Sequence, residues 1–400
     1  MKILAAKIFA ASACFWLAAS TLVQAAAPLI NNIFMVPMLT IQSDVGVTNQ
    51  IQFSTNLASS NWVALTNFLV VQSPYVFVDL SATSGPQRFF RVLEFLPPPP
   101  AATLSVTGFP SPQTAGVSGS FTVTVRNTNN AIVTGYVGTV HFSSTDPLAS
   151  LPANYTFTTG DAGVHTFSTT LKTAGSRTIT ATDTVTGSIT GTSSSITINP
   201  GAAVSFSVSA AASQTAGVAF NFMATANDAF NNMAIGYSGT VHFTSTDGFA
   251  VLPANYTFTA GDAGVHTFSA RLKTAGSQTI TATDNVSFSI TGTSSSITVN
   301  PGAAVAFTVV PTAFTQTAGV AFNFTVTAKD AFGNTATGYG GTVHFTSTDA
   351  QAVLPANATL TAGVKIFSAT LKTAGSQTIS ATDTVNGSIT STSSSITVNP

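Results

Sequence analysis

VAFNFTVTAKD, Val320 to Asp330, alternates without a break: Phe322, Phe324, Val326 and Ala328 fall on one side and Asn323, Thr325, Thr327 and Lys329 on the other. Successive side chains of a strand point to opposite faces, so a period of two predicts a strand with one face buried and one wet. Equivalent runs surround its counterpart a hundred residues earlier. AVSFSVSA, AFNFMATA, GTVHFTSTD, NYTFTA, GVHTFSARL, SQTITATD and SSITVN are separated by the turn signals AGD, TAGS and NPG. Seven short strands in about a hundred residues, with no helical periodicity, predict an immunoglobulin-like β-sandwich.

The same phrases recur along the chain. QTAG begins at Gln113, Gln214 and Gln316, and LPAN at Leu151, Leu252 and Leu354, stepping by 101 then 102. LKTAGS begins at Leu171, Leu272 and Leu371, and SSSIT at Ser193, Ser294 and Ser393, stepping by 101 then 99. The third copy is therefore shorter between LPAN and LKTAGS, where YTFTAGDAGVHTF becomes ATLTAGVKIF. A period this long matches a whole small domain and not a solenoid unit. The expected class is all-β: three tandem immunoglobulin-like sandwiches, residues 102–200, 201–301 and 302–400, preceded by a smaller β module at 26–96 and a proline-rich linker at 97–101.

Composition excludes function classes. Charged residues make up 6% of the chain and the formal net charge is −1, where about a quarter is usual. No basic stripe exists to neutralise phosphates, so no nucleic-acid partner is expected. With 44% hydrophobic residues and 30 Phe, the chain has enough apolar surface for several cores. Its polar surface comes from Thr, Ser and Asn, and β-branched Thr suits a pleated sheet.

The N-terminus has Lys2 and Lys7 ahead of an apolar run from Ile8 to about Val23, then Val23-Gln24-Ala25 as a small-residue cleavage pattern. That predicts an export signal at 1–25, with no membrane span after cleavage and an extracellular or cell-surface location. Cys14 is preceded by only a short apolar stretch and followed by Phe15-Trp16-Leu17, so lipidation is not expected. Removal of Cys14 with the signal leaves no cysteine, and stability must come from the cores alone.

AKDAFGNTATGYGGTVHFTST, from Ala328, and GVHTFSARLKTAGSQTITATD, from Gly264, resemble the bacterial Ig-like repeats of surface adhesins of the invasin and intimin kind, and more distantly filamin repeats. The resemblance covers residues 102 to 400 and its most specific element is a D-x-x-G-N turn before the third strand. It implies an extracellular stalk or adhesive array and carries over no catalytic residue. Copy three keeps the turn as Asp330, Gly333 and Asn334, copy two has Asn231 at the glycine position, and copy one reads RNTNNA. These departures speak against a role carried by this turn.

Residues 26–96 contain IQFSTNLASSNWVALTNF, YVFVDL and QRFFRVLEF. Their order resembles a small fibronectin-like β module of secreted bacterial proteins. Trp62 is expected in its core, since large aromatics usually bury. Pro97 to Pro100 predict an extended polyproline spacer.

GTVHFTSTD, with a histidine, a serine and an aspartate, stands at Gly239 to Asp247 and nearly unchanged at Gly138 and Gly341. Alternation sends His242 to solvent, and Ser245 and Asp247 to the side of Phe243, which prevents a catalytic triad. His165 and His266 share a face with the following Phe and point inward near a strand end, and Lys365 replaces them in copy three. Zinc needs three or four convergent ligands. Asp146, Asp247 and Asp349, Asp183, Asp284 and Asp383, and Asp228 with Asp330 recur. Calcium needs six to eight oxygens, and these residues are explicable as turn aspartates. The expectation is no catalytic residue, no cofactor and no metal site. The chain is then a non-enzymatic, monomeric rod acting as a stalk or spacer. The alternative is an adhesin-type module binding cell-wall or extracellular polysaccharide, or a surface protein, through sandwich loops or the N-terminal module.

Overall fold

The computed structural model describes residues 38–56, 58, 61–81, 88–95 and 100–400. The export signal with Cys14, the start of the N-terminal module and most of the proline run lie outside the described residues. Regular structure resumes as a strand at Ala101–Thr107. Among the described residues no helix is long and apolar enough to cross a membrane.

In the N-terminal region, Thr48–Ser54 is the central strand of a three-stranded antiparallel sheet, flanked by Val63–Leu69 and Phe89–Phe95. Met38–Ile41 pairs with Tyr75–Val78 in a second sheet. Ile41, Val47, Ile51 and Val70 form the buried centre, and Phe68 stacks on Tyr75 with centroids 4.1 Å apart. Trp62 departs from expectation. It is half-buried, with the Arg91 guanidinium 4.5 Å over its ring, because Arg91 is held there by its Nε donating to Gln52 Oε1 at 2.7 Å. Asn49 is buried beside Ile51, and neither polar atom of its amide meets a partner among the described residues.

The rest is three tandem immunoglobulin-like sandwiches, and the second shows the plan. One layer is Ser205–Ala210, Phe220–Asn227 and Val265–Ala270. The other runs Tyr256–Thr257, Thr240–Ser245, Ile280–Asp284 and Thr291–Thr293. A third small sheet closes one end, where Ser213–Thr215 pairs in parallel with Ile297–Asn300, and Gly276–Gln278 pairs on its other side. There are ten strands where the sequence predicts seven. SQTITATD splits at Thr279, and the segments around QTAG and before SSSIT supply three-residue strands too short to show an alternation.

The alternating positions fill one core from both layers: Phe206, Val208, Phe222, Ala224, Phe268, Val241, Phe243, Ile280 and Ala282. Phe243 meets Phe222 edge-on at 5.3 Å and Phe268 at 4.5 Å, so aromatic rings interleave across the layers. In the third repeat Phe322, Phe324, Val326 and Ala328 are buried as one face of a strand, as their spacing predicts. Burying a Phe contributes on the order of 2 kcal/mol, and each repeat buries several, which is how the array holds without cross-links.

A tyrosine–aspartate pair recurs in each repeat, its carboxylate buried. The Tyr136, Tyr237 and Tyr339 hydroxyls donate to Asp183, Asp284 and Asp383. Burial, and then the carboxylate it donates to, push each phenol above its ordinary range. The pair leaves no room beside it: a Cβ at Gly239 would lie 2.2 Å from Asp284 Oδ2.

Candidate functional site

The strand histidines are held, and held differently. His141, His242 and His344 point outward, each with Nδ1 2.9 Å from the side-chain oxygen of Asn154, Asn255 or Asn357, the last residue of LPAN. Alternation explains this, because Val241 and Phe243 on either side of His242 are buried. His165 and His266 share a face with Phe167 and Phe268 and are half-buried. His266 stacks on Tyr256 at 4.1 Å, and its Nδ1 lies 2.6 Å from Asp262 Oδ1. Asp262 ends a single 3-10 turn, Ala260–Asp262. The Thr259 N–H, the Thr259 hydroxyl and His266 hold its carboxyl well below the usual carboxylate range. The first repeat repeats this arrangement with Tyr155, Thr158, Asp161 and His165.

A histidine oriented by a carboxylate is half of a hydrolytic site. Among the described residues no nucleophile is hydrogen-bonded to the imidazole. The nearby hydroxyl of Thr259 donates to Asp262, 2.7 Å away, and so lies on the wrong partner. The third repeat has neither group. Its hairpin turns directly at Thr361 and Val364, with an exposed Lys365 at the histidine position, its ammonium 5.5 Å from the centre of the Phe367 ring. The arrangement is a clamp across a hairpin.

The recurrent aspartates are also occupied. Asp247 accepts the N–H groups of Lys273, Thr274 and Phe249 and the hydroxyl of Thr274. Burial raises its pKa, but these hydrogen bonds outweigh it and the net shift is downward. Asp284 accepts the Val286 and Ser287 N–H groups besides the Tyr237 hydroxyl. Among the described residues no group of three or more His, Cys, Asp or Glu is placed to hold a metal ion.

The richest chemistry lies where one repeat meets the next. In the second repeat, Asp228 folds the turn Asp228 to Asn232 by accepting the Phe230 and Asn232 N–H groups on Oδ1. Its Oδ2 accepts the Gly201 N–H of the connecting segment at 2.8 Å and the Asn232 amide at 2.8 Å. That amide then reaches the first repeat. Asn232 Nδ2 donates to the Lys172 carbonyl at 2.8 Å, and Asn232 Oδ1 accepts the Ala174 N–H at 2.8 Å. The Phe230 ring covers Gly116, where a Cβ would lie 2.3 Å from Phe230 Cε2. The second joint copies the first. Asn334 bridges the Lys273 carbonyl at 2.7 Å and the Ala275 N–H at 2.9 Å, Phe332 covers Gly217, and Asp330 holds Gly302 at 2.9 Å.

The turn thus has a role that the departures in its sequence seemed to deny. Asn231 stands at the glycine position with φ 62°, and Gly333 has φ 82°. Both are left-handed, and Asn is one of the few residues besides Gly that visits this region readily. In the first repeat Asn127 folds the same turn through the Asn129 and Ala131 N–H groups. Asn129 and Ala131 then stand where Phe230 and Asn232 make the joint.

No family model matches the chain, and no curated protein matches it. Among solved structures it is similar to the Escherichia coli adhesin FdeC, at 19% identity over 76% of this chain and 100% of that one, with a TM-score of 0.36. It is similar to invasin, described as a bacterial integrin-binding protein, at 16% identity over 74% of this chain and 60% of that one, with a TM-score of 0.31. A third is the Yersinia pseudotuberculosis adhesin InvE, at 19% identity over 49% of this chain and 58% of that one, with a TM-score of 0.25.

Proposed function

We propose that this is an exported, non-enzymatic repeat protein of the cell surface or extracellular space, whose sandwiches act as spacers. The observation that carries this reading is the repetition of one joint. Asn232 and Asn334 make the same pair of hydrogen bonds to the preceding repeat, and Asp228 and Asp330 tie the same turn to the connecting segment. A spacer needs its units set at fixed intervals and needs little from any individual surface. The extracellular location rests on the export signal predicted at 1–25.

The test removes residues 201–301, joining Pro200 to Gly302. Phe332 and Asn334 would then meet Gly116, Lys172 and Ala174. Small-angle scattering should show the maximum dimension falling by one repeat, about 40 Å for strands rising roughly 3.3 Å per residue. Attachment to cells or matrix should persist. Loss of attachment on removing that single repeat would overturn the spacer reading in favour of a ligand-binding second repeat.

A further inference from the structure

The third repeat carries the receiving half of the joint at its other end. Gly319 has φ +79°, matching Gly116 at +82° and Gly217 at +77°, and its N–H donates to the Leu371 carbonyl at 2.8 Å as theirs do to Leu171 and Leu272. Asp349 shapes the following loop as Asp146 and Asp247 do, accepting the Lys372 and Thr373 N–H groups and the Thr373 hydroxyl. The backbone groups that meet Asn232 and Asn334 in the first two repeats are thus presented again, by Lys372 and Ala374. What differs is exposure. Lys172 to Ala174 and Lys273 to Ala275 are half-buried, whereas Lys372 to Ala374 and Gly319 are exposed. A Cβ at Gly319 would meet nothing within 4 Å, where at Gly116 and Gly217 it would strike a phenylalanine ring.

We propose that Gly319, Lys372 and Ala374 form a docking surface for the Asp-Ala-Phe-x-Asn turn of a β-sandwich repeat linked in line after this one. The occupant is specified by the two joints already made in this chain. Its Phe would lie on Gly319, and its Asn would accept the Ala374 N–H and donate to the Lys372 carbonyl. Its Asp would hold the connecting segment, which favours a covalently linked repeat over a separate chain because Gly201 and Gly302 are part of the two joints. The inference rests on the same joint geometry as the spacer reading, but requires only that the joint forms, whatever the repeats are for.

The experiment uses the full chain with a second copy of residues 302–400 fused after Pro400, which recreates the Asn-Pro-Gly-Ala connection. Hydrogen exchange followed by NMR reports the Ala374 amide. In the parent chain Ala374 should exchange fast while Ala174 and Ala275 are protected, and in the fusion Ala374 should slow by about tenfold or more. Phe332→Ala with Asn334→Ala, placed in the appended copy only, should return Ala374 to its parental rate while the appended copy's core amides stay protected. An Ala374 rate unchanged by a folded appended repeat would overturn the proposal. Protection of Ala374 in the parent that grows with protein concentration would also overturn it, by assigning the surface to self-association. The appended core amides separate a failure to fold from a failure to dock.

Discussion

Two loops of these repeats diverge among the copies in opposite directions. The turn Asp228 to Asn232 keeps its Phe and Asn in the second and third repeats and lacks both in the first. The hairpin clamp of Tyr256, Asp262 and His266 stands in the first two repeats and is gone from the third, with three residues fewer around it. The turn's side chains touch another repeat, and the clamp's hydrogen bonds stay within their own hairpin. The loss of the clamp leaves the third core built on the same positions, since Leu360 takes the place of Phe258. A side chain that meets a neighbouring repeat is therefore constrained by two surfaces, and one that meets its own hairpin can be replaced by a tighter turn.

The sharpest way to break this comparison is Gly217→Ala against Gly319→Ala. Both place a Cβ on a left-handed backbone, a strain of roughly 1–2 kcal/mol. Only the first also drives a methyl into the Phe332 ring, 2.2 Å away. Denaturant unfolding should show Gly217→Ala costing about 2 kcal/mol more than Gly319→Ala, on the scale of other overpacking substitutions. Equal losses would mean that the ring does not rest on Gly217.

Next in size is Asn232→Ala, which strands the Lys172 carbonyl and the Ala174 N–H. A loss of about 1–3 kcal/mol is expected for leaving such groups unpaired, read as faster exchange at Ala174 with the second core intact. Asn334→Ala should act alike at Ala275. If both variants leave those amides as slow as before, the turn does not make the joint.

Acid should loosen the joints by a smaller amount. Burial raises the pKa of Asp228 and of Asp330, yet the amide and N–H donors lower it further, and the net shift is downward. A folded pKa below the unfolded value contributes stability that is complete above the unfolded pKa, near 3.9, and is lost as pH falls through the folded value. Protection at Ala174 and Ala275 should therefore hold from neutral pH to about 4 and fall below it. Asp247, whose pKa is also lowered and which shapes the Lys273 loop, should contribute in the same window. Flat protection down to pH 2 would contradict this.

The smallest effect belongs to the clamp. His266→Leu should lower the melting temperature less than Asn232→Ala does, and should leave exchange at Ala174 and Ala275 untouched. A larger shift from the clamp than from the turn would invert the comparison.

The strand faces were legible in the sequence because burial follows a period of two: Val241, Phe243 and Asp247 are inside and His242 outside, as alternation requires. The inward placement of His165 and His266 followed from the same rule. Their carboxylate partners did not, since Asp161 and Asp262 reach them by way of a 3-10 turn that no periodicity announces. The joint was harder still. Asn232 meets a carbonyl 60 residues away and Asn334 one 61 residues away, so a turn visible as a motif gave no hint of what it touches. Trp62 was misplaced because large aromatics usually bury, and a guanidinium stacked on one face was not foreseen.

The joint also bears on how such a chain can change length. The second and third copies each encode a Phe and Asn turn near one end, and all three copies encode the Gly, Lys and Ala acceptors at the other, so the contact is heterologous and does not close on itself. An in-register duplication of about a hundred codons from the second or third copy would then bring a matching contact with it, and an in-register deletion would heal the one it cuts. Unequal recombination between near-identical copies could lengthen or shorten the array in a single event, with no new interface to be selected.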